Sequence, residues 1–220
     1  MSAIKENLEK VNSALTDSVL LVAVTKTRKP EEINEAIECE VTDIGENKVQ
    51  EIIEKYDKVS PVRWHMIGHL QTNKVKNIID KVDMIHSVDS LKLAGEIEKR
   101  AEQAGKTMDI LVQVNPGGEE SKFGVSPYEA QGLVENIIKN CKNIKIRGLM
   151  CVARLTDDEE EIREDFRTVK KLYDKLKEMS EPGLDFRYLS MGMSGDYKIA
   201  IEEGSNLVRI GSSIFGQRVY

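Results

Sequence analysis

The chain has 220 residues, a net charge of -6, 40% hydrophobic residues and 32% charged residues, a balance typical of a soluble globular protein with a sizeable core. The acidic charge argues against binding to a nucleic-acid backbone, and the sequence has neither a signal-peptide pattern nor a run of about 18 apolar residues that could span a membrane. An odd number of cysteines (Cys39, Cys141 and Cys151) indicates reduced thiols and a cytoplasmic location.

Short apolar runs alternate with helical patterns along the whole chain. Residues 2–15 repeat apolar side chains at helical spacing, and the unbroken apolar run 19–24 is typical of a strand buried on both faces. The next predicted helix, 31–38, follows Pro30, a residue favoured in a first helical turn. The later predicted strands are 41–44, 62–67, 83–88, 108–114, 143–150, 185–191 and 206–211. The later predicted helices are 47–60, 71–80, 91–105, 126–141, 157–180 and 195–203.

Eight short strands separated by helices predict parallel crossovers, and this number in a chain of this length predicts an α/β fold, a single (β/α)8 barrel domain over 1–220. An open doubly wound sheet is the alternative. Only nine residues follow Gly211, so we expect the eighth helix to be missing or stunted. We expect the extra N-terminal helix, 2–15, to cover that part of the barrel.

The working residues of such barrels lie at the carboxyl ends of the strands. The polar residues predicted there include Thr25, Lys26, Glu46, Asn47, His65, His69, Ser87, Asp89, Asn115, Ser194, Arg209, Gly211 and Ser212. The loops after the seventh and eighth strands, 191–196 and 209–216, are rich in Gly and Ser. Either loop alone could be an ordinary turn, but the two together favour a phosphate site built from backbone N–H groups and hydroxyls.

Lys26 ends the first apolar strand. At the barrel mouth it would be partly desolvated and close to Arg28 and Lys29, which favours the neutral amine that attacks an aldehyde. On its own, Lys26 would more often be a surface lysine with a buried stem. Together with a phosphate site it indicates a phosphorylated aldehyde, either pyridoxal phosphate or the substrate of a phosphosugar aldolase. We predict no metal, because His65 and His69 follow a strand and have no third ligand nearby.

Seven motifs occur in one order over residues 19–216: VAVTK, DIGENKVQE, WHMIGHLQTNK, ESKFG, RGLM, MGMSGD and VRIGSSIFG. Together they resemble the pyridoxal phosphate homeostasis protein family, also called the proline synthetase co-transcribed family. The resemblance implies a barrel like the N-terminal domain of alanine racemase. It also implies pyridoxal 5'-phosphate as cofactor. The implied cofactor-binding residues are Lys26, Asn47, Ser194, Arg209, Gly211 and Ser212.

Each of these residues has an implied role. Lys26 forms the internal aldimine, Ser194 and the backbone of residues 211–212 hold the phosphate, Arg209 faces the pyridine nitrogen, and Asn47 lies beside the ring. Met191 and His65 are further expected to line the pocket. Three segments depart from the usual family pattern and affect the expected pocket rim, namely Thr25 in place of Ser, residues 115–118, and Ala153-Arg154.

An arginine opposite the pyridine nitrogen accepts no hydrogen bond and leaves the ring a weak electron sink. Alanine racemase-like enzymes also have a second domain that supplies a tyrosine, and we expect the barrel to use this whole chain. We therefore predict a monomeric, non-catalytic protein that buffers the cofactor and hands it to apo-enzymes. By the resemblance it also influences amino-acid and keto-acid balance. The alternative is a racemase or lyase acting on a small amino acid.

Overall fold

Eight parallel strands form a closed barrel in chain order in the computed structural model, which describes residues 2–119, 121–179 and 181–217. The strands are β1 Leu20–Val24, β2 Asp43–Glu46, β3 Arg63–Met66, β4 Met84–Val88, β5 Met108–Val114, β6 Ile144–Cys151, β7 Leu184–Ser190 and β8 Leu207–Ile210. Parallel pairing of β1 with β8, which sets Ala23 opposite Ile210, closes the barrel. The predicted (β/α)8 fold is confirmed, and the open sheet is excluded.

The helices lie between the strands and outside the barrel. They are α1 Ala3–Asn12, α2 Pro30–Glu38, α3 Val49–Lys55, α4 Leu91–Gln103, α5 Pro127–Asn140, α6 Glu159–Lys177, α7 Tyr197–Glu202 and α8 Ser212–Phe215. Local signals start several of them. In α5, Ser126 and Glu129 form a capping box and Pro127 occupies the first turn. In α4, the Ser90 hydroxyl accepts a hydrogen bond from the N–H of Leu93.

Two predicted helices are wrong in length or type. The helix expected over 47–60 is only seven residues long and ends in a 3-10 turn, Tyr56–Lys58. The helix expected over 71–80 is the 3-10 helix Thr72–Asn77, where Thr and two Asn side chains compete with the helical hydrogen bonds of the backbone. The predicted end of the helix 157–180 lies outside the described residues.

The eighth helix is stunted, as predicted, since α8 has four residues. The N-terminal helix α1 packs beside it, and the Asn7 side chain donates a hydrogen bond to the Ile214 carbonyl at 2.9 Å. Leu8 and Val11 of α1 are buried in the main core. The extra helix therefore covers this part of the barrel. Within the described ranges no helix is both long enough and apolar enough to cross a membrane.

Apolar packing is divided between two layers. The main core lies between the barrel wall and the helices. A separate small cluster, Met84, Leu111 and Met150, comes from β4, β5 and β6 and fills part of the barrel interior. Inside the barrel above this cluster the side chains are polar, and they lead up to the mouth where the strands end.

Candidate functional site

One cavity of about 280 Å³ opens at the carboxyl ends of the strands. Its lining residues are Val24, Lys26, Asn47, Ile67, Val152, Met193, Ser194, Gly195, Arg209, Gly211 and Ser212. All six residues that the sequence assigned to a cofactor line this cavity. They come from the ends of β1, β2, β7 and β8, so the fold brings together residues that lie far apart along the chain.

Strand β1 directs Lys26 into the mouth. Lys26 lies two residues beyond Val24, the last residue of β1, and both residues line the cavity. Lys26 is half-buried. The next residue, Thr27, has φ of 66°, a left-handed conformation that is rare for a β-branched residue. The backbone turns sharply directly after the lysine, and the turn needs external support.

A buried ionic network supports this turn. We call the network and Lys26 together the lysine side of the cavity. Lys55 Nζ donates to Glu46 Oε1 at 2.8 Å, to Glu51 Oε2 at 2.7 Å and to the Thr25 carbonyl at 3.0 Å. Thr25 Oγ1 donates to Glu46 Oε1 at 2.7 Å. Glu51 Oε2 also accepts the N–H of Thr27 at 2.6 Å. The network therefore holds the backbone on both sides of the lysine.

The sequence predicts Glu46 at the barrel mouth, but in the structure its side chain does not line the cavity. Its side chain is fully buried and that of Lys55 is 9% exposed. Burial raises the pKa of Glu46, although the nearby Lys55 ammonium opposes the rise. Thr25, which replaces the usual Ser, keeps the hydroxyl that this network uses. Sequence reasoning missed Lys55 because two of its three partners lie 9 and 30 residues away along the chain.

The anion side of the cavity consists of Ser194, Gly195 and residues 211–213. Ser194 Oγ accepts hydrogen bonds from the N–H groups of Gly211 at 3.2 Å and Ser213 at 3.4 Å. A Cβ added at Gly211 would lie 3.2 Å from both Cβ and the carbonyl oxygen of Val24. The cradle is therefore made of backbone donors, hydroxyls and a position where a side chain barely fits. This donor set suits a phosphate group.

Arg209 lies at the floor of the cavity and is 4% exposed. Its guanidinium donates to Ser190 Oγ at 2.6 Å, to the Ser190 carbonyl at 2.9 Å and to the Cys151 carbonyl at 2.8 Å. Burial lowers the pKa of Arg209, but a guanidinium stays protonated in proteins. The ends of β6 and β7 thus hold a fixed positive charge against the cavity.

Two residues expected in the pocket are not among its lining residues. His65 is completely buried one layer deeper than Ile67, the next residue on the same face of its strand. Met191 is also completely buried and belongs to the main core, because it points to the opposite face from Ser190. Apolar side chains that were not predicted, Ile67 and Val152, take their place.

The rim residues make contacts of their own. His69 stacks on Phe123 with 3.7 Å between ring centroids, so the two predicted mouth histidines lie in different layers. Asn115 closes its own loop by donating to the Glu119 carbonyl at 2.9 Å. Across the described part of the chain, no three His, Cys, Asp or Glu side chains are grouped as ligands for a metal ion.

Arg154, one of the departures from the family pattern, is paired outside the cavity. Its guanidinium Nη2 lies 2.6 Å from Oδ1 of the buried Asp165, and its backbone N–H donates to Oδ2 of the same carboxylate at 2.8 Å. The carboxylate raises the pKa of Arg154. This pair fixes the segment after β6 beside α6.

Comparison with known proteins gives a consistent result. Residues 1–219 match the family described as alanine racemase, N-terminal domain. The chain is 44% identical over 220 residues to the pyridoxal phosphate homeostasis protein of Helicobacter pylori strain 26695, covering 98% of this chain and 96% of that protein. The structure of PipY from Synechococcus elongatus with PLP bound has a TM-score of 0.89 at 32% identity and covers 97% of this chain and 100% of that one.

The structure is also similar to alanine racemase itself, and at the low sequence identity this similarity shows a shared fold only. The enzyme of Clostridium difficile superposes with a TM-score of 0.82 at 19% identity, over 99% of this chain and 57% of that chain.

Proposed function

Since the chain belongs to the alanine racemase N-terminal domain family, and within it to the pyridoxal phosphate homeostasis proteins, we propose that it binds pyridoxal 5'-phosphate and carries it covalently on Lys26. The observation that carries the proposal is that the lysine side and the anion side line one cavity. When bound, the cofactor supplies an aldehyde that an amine can hold and a conjugated ring that can accept electrons.

The chain's own residues have distinct tasks in this proposal. The Lys26 amine holds the aldehyde carbon, while Ser194 and the backbone N–H groups of Gly211 and Ser212 bind the phosphate. Arg209 faces the ring nitrogen, and Asn47 contacts the ring edge. The tight approach of Gly211 to Val24 supports a backbone cradle, because a larger residue there would displace either the wall or the ligand.

Lack of a second base supports a carrier over an enzyme. Among the described lining residues, the ionisable side chains are Lys26 and Arg209, and a guanidinium does not take up a proton. Racemisation needs a base on one face of the substrate and an acid on the other. We infer that the protein buffers the cofactor and passes it to apo-enzymes, and that it acts as a monomer in the cytoplasm.

The fold shared with alanine racemase makes racemisation the function to test against. Titration with pyridoxal 5'-phosphate should give saturable visible absorbance, and the loaded protein should restore activity to a cofactor-depleted enzyme. With L-alanine in heavy water, exchange at Cα should be slow and the product should keep its configuration. Racemisation at ~1 per second or faster, within the usual enzyme range, would replace the carrier function by a racemase.

A further inference from the structure

A continuous row of hydrogen bonds runs through the barrel interior beneath Arg209. Arg209 Nη1 lies 2.6 Å from Ser190 Oγ, which lies 3.4 Å from His86 Nδ1. His86 Nε2 lies 2.8 Å from His65 Nδ1, and His65 Nε2 lies 2.8 Å from Asp43 Oδ1. The row links four strands, β8, β7, β4 and β3, to β2. We call it the interior chain.

Every member of the interior chain is buried. Relative exposure is 4% for Arg209, 1% for Asp43 and 0% for Ser190, His86 and His65. Polar groups at this depth need hydrogen-bond partners, because an unpaired one would cost about 1–3 kcal/mol. Each of these buried groups therefore needs its neighbour in the row as a hydrogen-bond partner. This requirement limits the positions that the protons can take.

With both imidazoles neutral, the two ends determine the direction of every hydrogen bond. Arg209 can only donate, and an ionised Asp43 can only accept. His65 therefore donates through Nε2–H to Asp43 and, when neutral, accepts at Nδ1 from His86 Nε2–H. His86 in turn accepts at Nδ1 from the Ser190 hydroxyl. Ser190 Oγ is left with lone pairs directed at Arg209.

The charges around the interior chain support this order. Burial lowers the pKa of His86 well below its usual value, and the charge of Arg209 lowers it further, so His86 is neutral. Burial alone would raise the pKa of Asp43, but hydrogen bonds from His65 and Thr42 lower it overall. Arg63 Nη1, 3.4 Å from Asp43 Oδ1, further favours the carboxylate.

We propose that Ser190, His86, His65 and Asp43 are positioning residues that orient Arg209 through a one-way chain of hydrogen-bond donors. The role of Arg209 toward the ring nitrogen rests on the proposed function, whereas the order of the protons rests on the contacts alone. With the Ser190 proton committed to His86, the hydroxyl presents an acceptor to Arg209. The guanidinium is then held as a charged donor on one edge, and its position against the cavity is fixed.

Reversal of the chain would have a definite consequence. If His86 carried its proton on Nδ1, it would donate to Ser190 Oγ, which already accepts from Arg209. Ser190 Oγ has two lone pairs and could accept from both, but its own proton would then turn away from His86, and no donated hydrogen bond would fix the orientation of the hydroxyl toward Arg209. As long as His65 is neutral, Asp43 prevents this reversal, because its carboxylate requires the single His65 proton to be on Nε2.

Imidazole nitrogen NMR of the cofactor-free protein tests the order of the protons. The chain has three histidines, so His69 on the rim serves as an internal reference for two buried rings. We expect His65 and His86 to be neutral and protonated on Nε2 at neutral pH. A proton on Nδ1 of either ring, or a positive charge on either ring, would overturn the proposal whatever the protein binds.

A matched pair of Ser190 variants tests the effect on Arg209. Ser190→Ala removes the acceptor and should weaken cofactor binding about 10-fold, the loss expected for one hydrogen bond from a charged group. Ser190→Thr keeps the hydroxyl and should therefore bind the cofactor more tightly than Ser190→Ala does. Equal affinities for the parent and Ser190→Ala would overturn the positioning role.

The two proposals fail in distinguishable ways. If the parent protein binds no pyridoxal 5'-phosphate, the proposed function fails while the NMR result still decides the interior chain. Should Ser190→Ala not fold, Asp43→Asn is the second variant, and its His65 and His86 spectra are recorded in the same way. We expect a mixture of tautomers in Asp43→Asn, because an amide can either accept or donate. Unchanged spectra would contradict the role of Asp43.

Discussion

The lysine side of the cavity is held by charged side chains, whereas the anion side is held by backbone groups and small residues. On the lysine side, Lys55, Glu46 and Glu51 fix a turn that includes a left-handed threonine. On the anion side, one hydroxyl and two backbone N–H groups meet beside a glycine. The same cavity thus combines an ionic support with a steric one.

The difference predicts how each side responds to substitution. A buried ion pair makes a site sensitive to loss of one partner, because the remaining charge stays desolvated. A cradle of backbone donors is insensitive to charge but sensitive to volume. Substitutions in the ionic network should therefore change stability as well as binding, whereas loss of a hydroxyl on the anion side should change binding alone.

The largest effect is expected for Lys26→Ala. The variant should lose all covalent attachment of pyridoxal 5'-phosphate, because its amine is the group that holds the aldehyde. Circular dichroism should remain that of the parent, since the side chain is only half-buried at the mouth. Visible absorbance after cofactor addition measures the loss, with exposed Lys29→Ala as the control. Persistent visible absorbance in Lys26→Ala would remove Lys26 from the site.

The next effect is expected for Lys55→Met. Loss of the ammonium leaves Glu46 buried without its cation and should lower the free energy of unfolding by about 3–5 kcal/mol. Urea unfolding of the cofactor-free protein measures the change. The double variant Lys55→Met/Glu46→Gln should be more stable than the single one, because it removes the orphaned charge. Equal stability of the two would show that the charge is not responsible.

Ser194→Ala should act on binding with little change in stability, whereas Gly211→Val should weaken binding and also lower stability, because its side chain crowds Val24. Ser194→Ala removes a donor to a charged group and should cost about 1.5–3 kcal/mol of binding free energy. Gly211→Val should weaken binding as well, because the added Cβ would lie 3.2 Å from Val24. Affinity is measured by titration. Gly95→Ala, where an added Cβ has nothing within 4 Å, controls for loss of a glycine. Unchanged affinity in both variants would place the phosphate elsewhere.

The smallest effect is a pH dependence at Glu51. Burial raises the pKa of Glu51, but hydrogen bonds from Lys55 and the Thr27 N–H lower it overall below the ordinary 4.5. A lowered pKa in the folded state gives stability that is present above pH 4.5 and lost as the pH falls below that value. Glu51→Gln should cost about 1 kcal/mol at neutral pH. Unfolding curves at several pH values should show the difference shrinking in acid, whereas a constant difference would contradict the assignment.

The two sides also differ in how well the sequence predicts them. The anion side follows from two short Gly- and Ser-rich loops, and the barrel follows from the regular alternation of apolar runs and helices. Both signals are local. Ser194 and residues 211–212 could therefore be assigned to one cavity from the sequence, since strand order sets which loops are neighbours.

The lysine side could not be predicted beyond Lys26. Lys55 lies in a helix and has the spacing of an ordinary surface residue, and its burial depends on β2 lying beside β1. Polar strand residues cause the same difficulty. Asp43 and Glu46 both belong to β2, whereas the apolar pattern predicts that this strand ends at 44. Hydropathy cannot predict such buried polar positions, because their hydrogen-bond partners come from other parts of the chain.

Borohydride reduction of the loaded protein followed by peptide mapping tests the central claim most directly. Reduction fixes the cofactor on whichever lysine holds it. We predict a single modified peptide, the one that contains Lys26. Modification of Lys74, beside the neighbouring depression, or of Lys122 on the rim would contradict the assignment of the site.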